Sequence, residues 1–181
     1  MKGAFNITLA YLRELGACRD GQREFQKAFP DGGEYQEVLD RCADEGRVDF
    51  GQWLLSRVGP TEDVRVYEDA IDEPAKCIIF AGRIEFGAEI SVKFVLAGCG
   101  IEAGEGIMAG WGIKAGKGIE AGKGIMAGWG VEAGKGFCVF AGLRVRKSRW
   151  ELCAVVTART KPSDLRSGFW RQKEADDEQT P

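Results

Sequence analysis

The side chains that most often perform chemistry near neutral pH are thin in this chain. Its 181 residues contain no histidine, so neither a Ser-His-Asp nor a Cys-His relay can be assembled. A zinc site would lack its commonest nitrogen ligand. Cys18, Cys42, Cys77, Cys99, Cys138 and Cys153 show no C-x-x-C spacing, and they read as reduced, mostly buried thiols of a cytosolic protein. Glycine patterns of the G-x-G-x-x-G kind belong to a repeat rather than to one strand-to-helix turn, so they do not indicate nucleotide binding. Carboxylate pairs such as Glu102 and Glu105 could exchange protons in a closed site, but on an open repetitive face they serve solubility. The chain reads as a non-enzyme: no catalytic residue, no metal ligand and no cofactor is expected.

What remains is the chemistry of binding. Residues 1–75 carry 16 acidic and 9 basic side chains, whereas residues 143–181 carry 9 basic and 6 acidic ones, so the two ends would steer different partners. The run TEDVRVYEDAIDE holds Glu62, Asp63, Glu68, Asp69, Asp72 and Glu73, with Asp40, Asp44, Glu45 and Asp49 nearby in sequence. A carboxylate surface of suitable spacing can imitate a phosphate backbone and occupy a Lys/Arg-lined nucleic-acid site. The plain alternative is an ordinary solvated face. A second candidate is the set Met108, Trp111, Met126 and Trp129, residue types enriched at protein interfaces, unless a flanking segment packs over them. The basic group Arg144, Arg146, Lys147 and Arg149 is short in a chain of net charge −3, and direct nucleic-acid binding is not expected.

The elements that must position these residues are announced by a repeat. Ile/Val-x-Ala-Gly begins at Ile101, Ile107, Ile113, Ile119, Ile125 and Val131, in steps of six, and again at Ile79, Val95 and Val139 with irregular spacing. In an extended strand Ile107 and Ala109 share one face while Met108 takes the other. The Gly-x-Gly that follows suits a corner, where glycine tolerates positive φ. A fixed hexapeptide period is the signature of a β-helix. GIMAGWG occurs at 106–112 and at 124–130, so one coil holds about 18 residues on three faces. Trp129 is then expected over Trp111 and Met126 over Met108, one strand spacing apart. A flexible glycine linker would not carry a β-branched residue in phase.

Around the repeat, ITLAYLREL has helical periodicity and stops at Gly16. Asp20 can cap a second helix ending at Pro30-Asp31-Gly32-Gly33, a third carries Tyr35, Val38, Leu39 and Cys42, and Asp49 can cap a fourth that closes at Gly59-Pro60. The expected fold is α+β: a small N-terminal helical bundle (1–60) capping a β-helix (77–142), with an acidic linker or helix between them (61–76). C-terminal strands (143–160) and a charged tail (161–181) complete it. No segment approaches the roughly 18 apolar residues of a membrane span, and a monomer is expected.

The stretch LRELGACRDGQREFQKAFPDG, followed by a Gly-Ile-x-Ala-Gly-x array, resembles phage and prophage proteins with a helical leader on a repetitive body. Among these it resembles anti-CRISPR inhibitors of the type I-C surveillance complex, which are β-helical with helical flanks. The resemblance implies an inhibitor in the host-cell cytoplasm that binds the CRISPR effector (Cascade) and blocks target-DNA recognition. It carries no motif that assigns residues, so the acidic run and the Met/Trp set stand on their chemistry alone. A structural or polymerising phage β-helix protein is the alternative.

Overall fold

The computed structural model describes residues 5–173. The chain opens with β1 (Asn6–Ile7), α1 (Leu9–Glu14), α2 (Arg19–Ala28), β2 (Gly33–Glu34), α3 (Tyr35–Asp44) and α4 (Val48–Val58), with β1 and β2 antiparallel. The helices fall where the apolar periodicity places them, but their caps differ from expectation. The Thr8 hydroxyl accepts the Tyr11 N–H at the head of α1, Cys18 Sγ accepts from Gly21 at the head of α2, and the Glu34 carboxylate accepts from Gln36 and Glu37 at the head of α3. Asp20 and Asp49 are not caps. Each lies inside the first turn of its helix, where a negative charge meets the positive end of the helix dipole. Gly16, Gly46 and Gly59, just beyond α1, α3 and α4, have positive φ, the usual glycine stop.

The solenoid follows: β3 (Val64–Tyr67), β4 (Ile71–Phe80), β5 (Arg83–Phe86), β6 (Ile90–Ala97), β7 (Ile101–Ala103), β8 (Ile107–Ala115), β9 (Ile119–Ala121), β10 (Ile125–Ala127), β11 (Gly130–Glu132) and β12 (Val139–Phe140). After a 3-10 turn (Lys147–Arg149) and α5 (Trp150–Cys153) come β13 (Val155–Ala158), β14 (Leu165–Ser167) and β15 (Phe169–Gln172). All solenoid pairings are parallel, and they build about 6 turns of about 18 residues each. The first face stacks β3, β5, β7, β9, β12 and β14. The second stacks the leading parts of β4, β6 and β8, then β10, β13 and β15. The third face is made by the trailing parts of β4, β6 and β8, and ends with β11.

The six-residue phase becomes three columns inside the coil. Ile84, Ile101, Ile119 and Val139 are register partners; so are Ile90, Ile107, Ile125 and Val156, and so are Ile78, Val95, Ile113 and Val131. All are buried, and each wholly buried isoleucine contributes about 1.5–3 kcal/mol relative to exposure.

Four expectations are corrected. The segment 61–76 is neither linker nor helix: it supplies β3 and the start of β4, so the solenoid begins at Val64. Alternation in VRVY, without glycine, is enough for a strand. The segment from 161 is not all tail, because β14 and β15 complete the last coil; the predicted tail beyond residue 173 lies outside the described residues. The motif at Ile79 is one residue out of phase. Ile78, not Ile79, pairs with Val95, past a register irregularity between Glu73 and Cys77. A one-residue slip moves a side chain to the opposite face, so Ile79 leaves the lumen and packs against the helices. Finally, the corner glycines of the repeat, from Gly98 to Gly134, are not at positive φ. A Cβ on Gly116 would sit on the carbonyl oxygen of Gly98 in the coil below, so close approach between coils is what demands glycine.

The helices cover the outside of the third face on its first two coils. There Cys77, Ile79, Phe94 and Leu96 join Leu39, Leu54 and Leu55 in one buried cluster. The Gln36 side-chain amide donates to the Ile79 carbonyl and accepts the Ala81 N–H, both at 2.9 Å. Arg65 reaches from β3 to Asp40 of α3 with two hydrogen bonds, 2.8 and 3.0 Å, and lies over the Phe80 ring. Of the six thiols, all free, only Cys42 and Cys77 are buried, fewer than expected. Burial pushes the Cys42 thiol up to about 12 and raises that of Cys77.

Candidate functional site

The acidic candidates all lie on the first coil, and all six are exposed. Glu62 and Asp63 precede β3, Glu68 and Asp69 form the corner between β3 and β4, and Asp72 and Glu73 stand on β4. They therefore follow the rim of the solenoid around two faces, not one helix face. Among the described residues only Glu73 of the six has a salt bridge, to Lys76 at 2.7 Å. Asp40 is spoken for by Arg65 and Glu45 by Arg41. The rim charges, with Pro74 in β4, also blunt an edge whose backbone groups would otherwise recruit another strand.

The Met/Trp candidates are uncovered. Met108 and Met126 are register partners on the second face, 42% and 45% exposed. Trp111 and Trp129 stand at the corner between the second and third faces, with rings 8° from parallel and centroids 5.9 Å apart. Trp129 N–H donates to the Trp111 carbonyl at 2.6 Å, which locks the two coils in register at this corner. Lys93 Nζ lies 3.9 Å from the centroid of Trp111, a cation–π contact. Lys93 escaped the motif reading although it stands 18 residues before Trp111, the length of one coil.

The structure joins the two candidate sets. Asp72, Ser91, Met108, Met126, Thr157 and Arg171 are successive register partners on the outside of the second face. The column spans five strand spacings, about 24 Å, and passes from a carboxylate through two thioethers to a guanidinium. The first face has a different character, because its outward charges pair. Arg83 bridges Glu85 at 2.6 Å and Glu102 at 2.8 Å, and Lys123 pairs with Glu105. Lys114 pairs with Glu132 on the third face at 3.0 Å. Glu102 and Glu120, like charges in register, are relieved by Arg83 on Glu102.

Beside the tryptophans, the third face opens into a groove of about 670 Å³. It is lined by Gly112, Lys114, Gly130, Val131 and Glu132 of the third face, by Trp111 and Trp129, by Val48, Asp49 and Gln52 of α4, and by residues 160–164. No sequence motif marks it, because its walls come from three separated segments. A second, more open depression of about 570 Å³ lies over the first face between Thr61–Val64 and Gly136–Phe140.

No helix among the described residues is long and apolar enough to cross a membrane. Residues 1–58 are similar to the family described as the YdhT N-terminal domain. No curated protein and no solved structure matches the chain.

Proposed function

We propose that this chain acts by binding, not by catalysis, and that its working surface is the outside of the second face with the acidic first coil at one end. The observation that supports this most is the column from Asp72 to Arg171, in which a carboxylate rim, paired only at Glu73 among the six, runs directly into exposed Met108 and Met126. A charged rim sets encounter rate and orientation, while desolvated apolar residues at the centre supply most of the affinity. The proposed partner, taken from the resemblance of the leader and repeat, is a type I CRISPR effector complex in the host cytoplasm. The carboxylates of Glu62, Asp63, Glu68, Asp69, Asp72 and Glu73 would occupy its basic DNA channel, so that target DNA cannot dock and the protein itself contacts no nucleic acid. A mobility-shift assay with purified surveillance complex tests this: saturating protein is expected to abolish the DNA shift. Charge reversal at Glu68, Asp69 and Asp72 together is expected to weaken inhibition at least tenfold. DNA binding that persists at saturation would overturn the proposal.

A second reading, a polymerising β-helix protein, draws support from the solenoid's two ends. The first coil is acidic, and the last presents Arg166, Arg171 and Lys173. Head-to-tail contacts between unlike ends generate filaments. Light scattering separates the readings: a monomer favours the inhibitor, and mass that grows with concentration and falls with salt favours the filament.

A further inference from the structure

The third face is the only one of the three whose strand ladder, among the described residues, stops at the fourth coil. On the other two faces the ladder continues through β12 and β14 and through β13 and β15, but β11 pairs only with β8 below it. Above β11 there is a single bridge, Gly130 to Thr160. The chain then meets Lys161-Pro162, and proline has no N–H to continue a ladder. The next backbone tie is at the far side of the face, where Val139 N–H donates to the Asp164 carbonyl. Residues 161–163 thus cross the third face without pairing, and the groove opens between them and β11.

We propose that this groove takes an extended peptide segment of a protein partner, added as a short parallel or antiparallel strand along the free edge of β11. Three observations specify the occupant. The edge offers backbone donors and acceptors at strand spacing, which an extended peptide satisfies and a helix, with its bonds internal, does not. Gly112 and Gly130 stand where Phe94 stands one coil below, so the floor is bare backbone and an incoming main chain can approach it; a Cβ on Gly130 would meet nothing within 4 Å. The apolar lining selects the side chains. The groove's charges are mixed, Asp49, Glu132 and Asp164 against Lys114 and Lys161, with Glu132 paired to Lys114, so they favour neither sign of side chain. The inward position faces Val131 and Val139, at the mouth of the apolar lumen. The occupant is therefore an extended segment with an aliphatic residue at its inward position and no proline. This goes beyond the acidic-rim proposal and does not depend on it.

The test is selection of a random dodecapeptide library on the full chain, followed by titration of the enriched peptides by tryptophan fluorescence. Enriched peptides are expected to share a proline-free core with aliphatic residues at alternate positions and to slow amide exchange at residues 131–133. Gly130→Leu fills the groove without meeting backbone, and Gln52→Trp narrows it from α4; each is expected to weaken binding at least tenfold while leaving the melting temperature within a few degrees. Should Gly130→Leu fail to fold, the Gln52→Trp arm decides. Charge reversal at Glu68, Asp69 and Asp72 is expected to leave peptide affinity unchanged, which separates this site from the rim. Peptides that bind both groove variants as tightly as the native chain, enrichment at helical i, i+3, i+4 spacing, or no enrichment would each overturn the proposal. So would displacement of the peptides by oligothymidylate or an oligosaccharide that binds more tightly.

Discussion

The outer third face exists in two versions, two coils apart. On coils one and two its outward positions are Cys77, Ile79, Phe94 and Leu96, buried under α3 and α4. On coils three and four the corresponding positions are Gly112, Lys114, Gly130 and Glu132, and α4 lines a groove beside them instead of burying them in its cluster. The inward positions barely change: Ile78, Val95, Ile113 and Val131 share one column. A repeat can therefore hold the lumen constant while the alternate residues, which face outward, decide coil by coil whether the wall docks a helix, carries an ion pair or stays open. The repeat encodes the scaffold, and departures from it encode the surfaces.

That difference can be broken most severely at Phe94. Phe94→Asp would bury an unpaired carboxylate between helix and wall and is expected to cost about 4 kcal/mol or more; a urea melt would show it, and the same charge at the Lys114 position should cost far less. Ile113→Ala, in the constant column, is expected to cost about 2–5 kcal/mol, measured the same way. A cost below 1 kcal/mol would mean that the lumen is not the stabilising core.

A smaller effect lies in pH. Cys42 is buried and its thiol is raised to about 12, chiefly by desolvation. The unfolded chain therefore releases this proton first. The contribution is complete below the ordinary thiol range and is lost as pH rises through the folded value. Between pH 8 and 10 the native chain should lose about 1–2 kcal/mol from this group, and Cys42→Ala should flatten the slope; urea midpoints at the two pH values check it. Smallest of all, Lys93→Ala and Lys114→Ala should each change stability by less than about 1 kcal/mol. A double-mutant cycle of Lys93 with Trp111 would measure the cation–π contact directly.

The helices and the coil were legible because both rest on periodicity. Ile101 to Val131 recur in sixes and Trp111 returns at Trp129, and nothing outside those residues is needed to infer three faces and an 18-residue coil. Gly16, Gly46 and Gly59 marked helix ends for the same local reason. The first coil was not legible. VRVYEDAIDE lacks the glycine corners, and its acids read equally as linker or helix. β14 and β15 were hidden because their register partners on β12 and β13, Val139 for Leu165 and Val155 for Phe169, are 26 and 14 residues away in sequence and separated by a loop and by Pro162. The caps on Cys18 and Glu34 depend on backbone geometry that Asp20 and Asp49 do not meet.

By itself, then, the sequence determined a helical leader, a β-branched lumen, the coil length and the vertical pairing of Met108 with Met126 and Trp111 with Trp129, since each follows from spacing along one chain. Tertiary structure decided which way Ile79 faces, why Gly116 must be glycine, where α3 and α4 dock, that Asp72 and Met108 share a column, and that the third face stops at β11. Those are contacts between segments far apart in sequence, set by register shifts and by carbonyl-to-carbon approach across coils, and a one-residue slip suffices to reverse them.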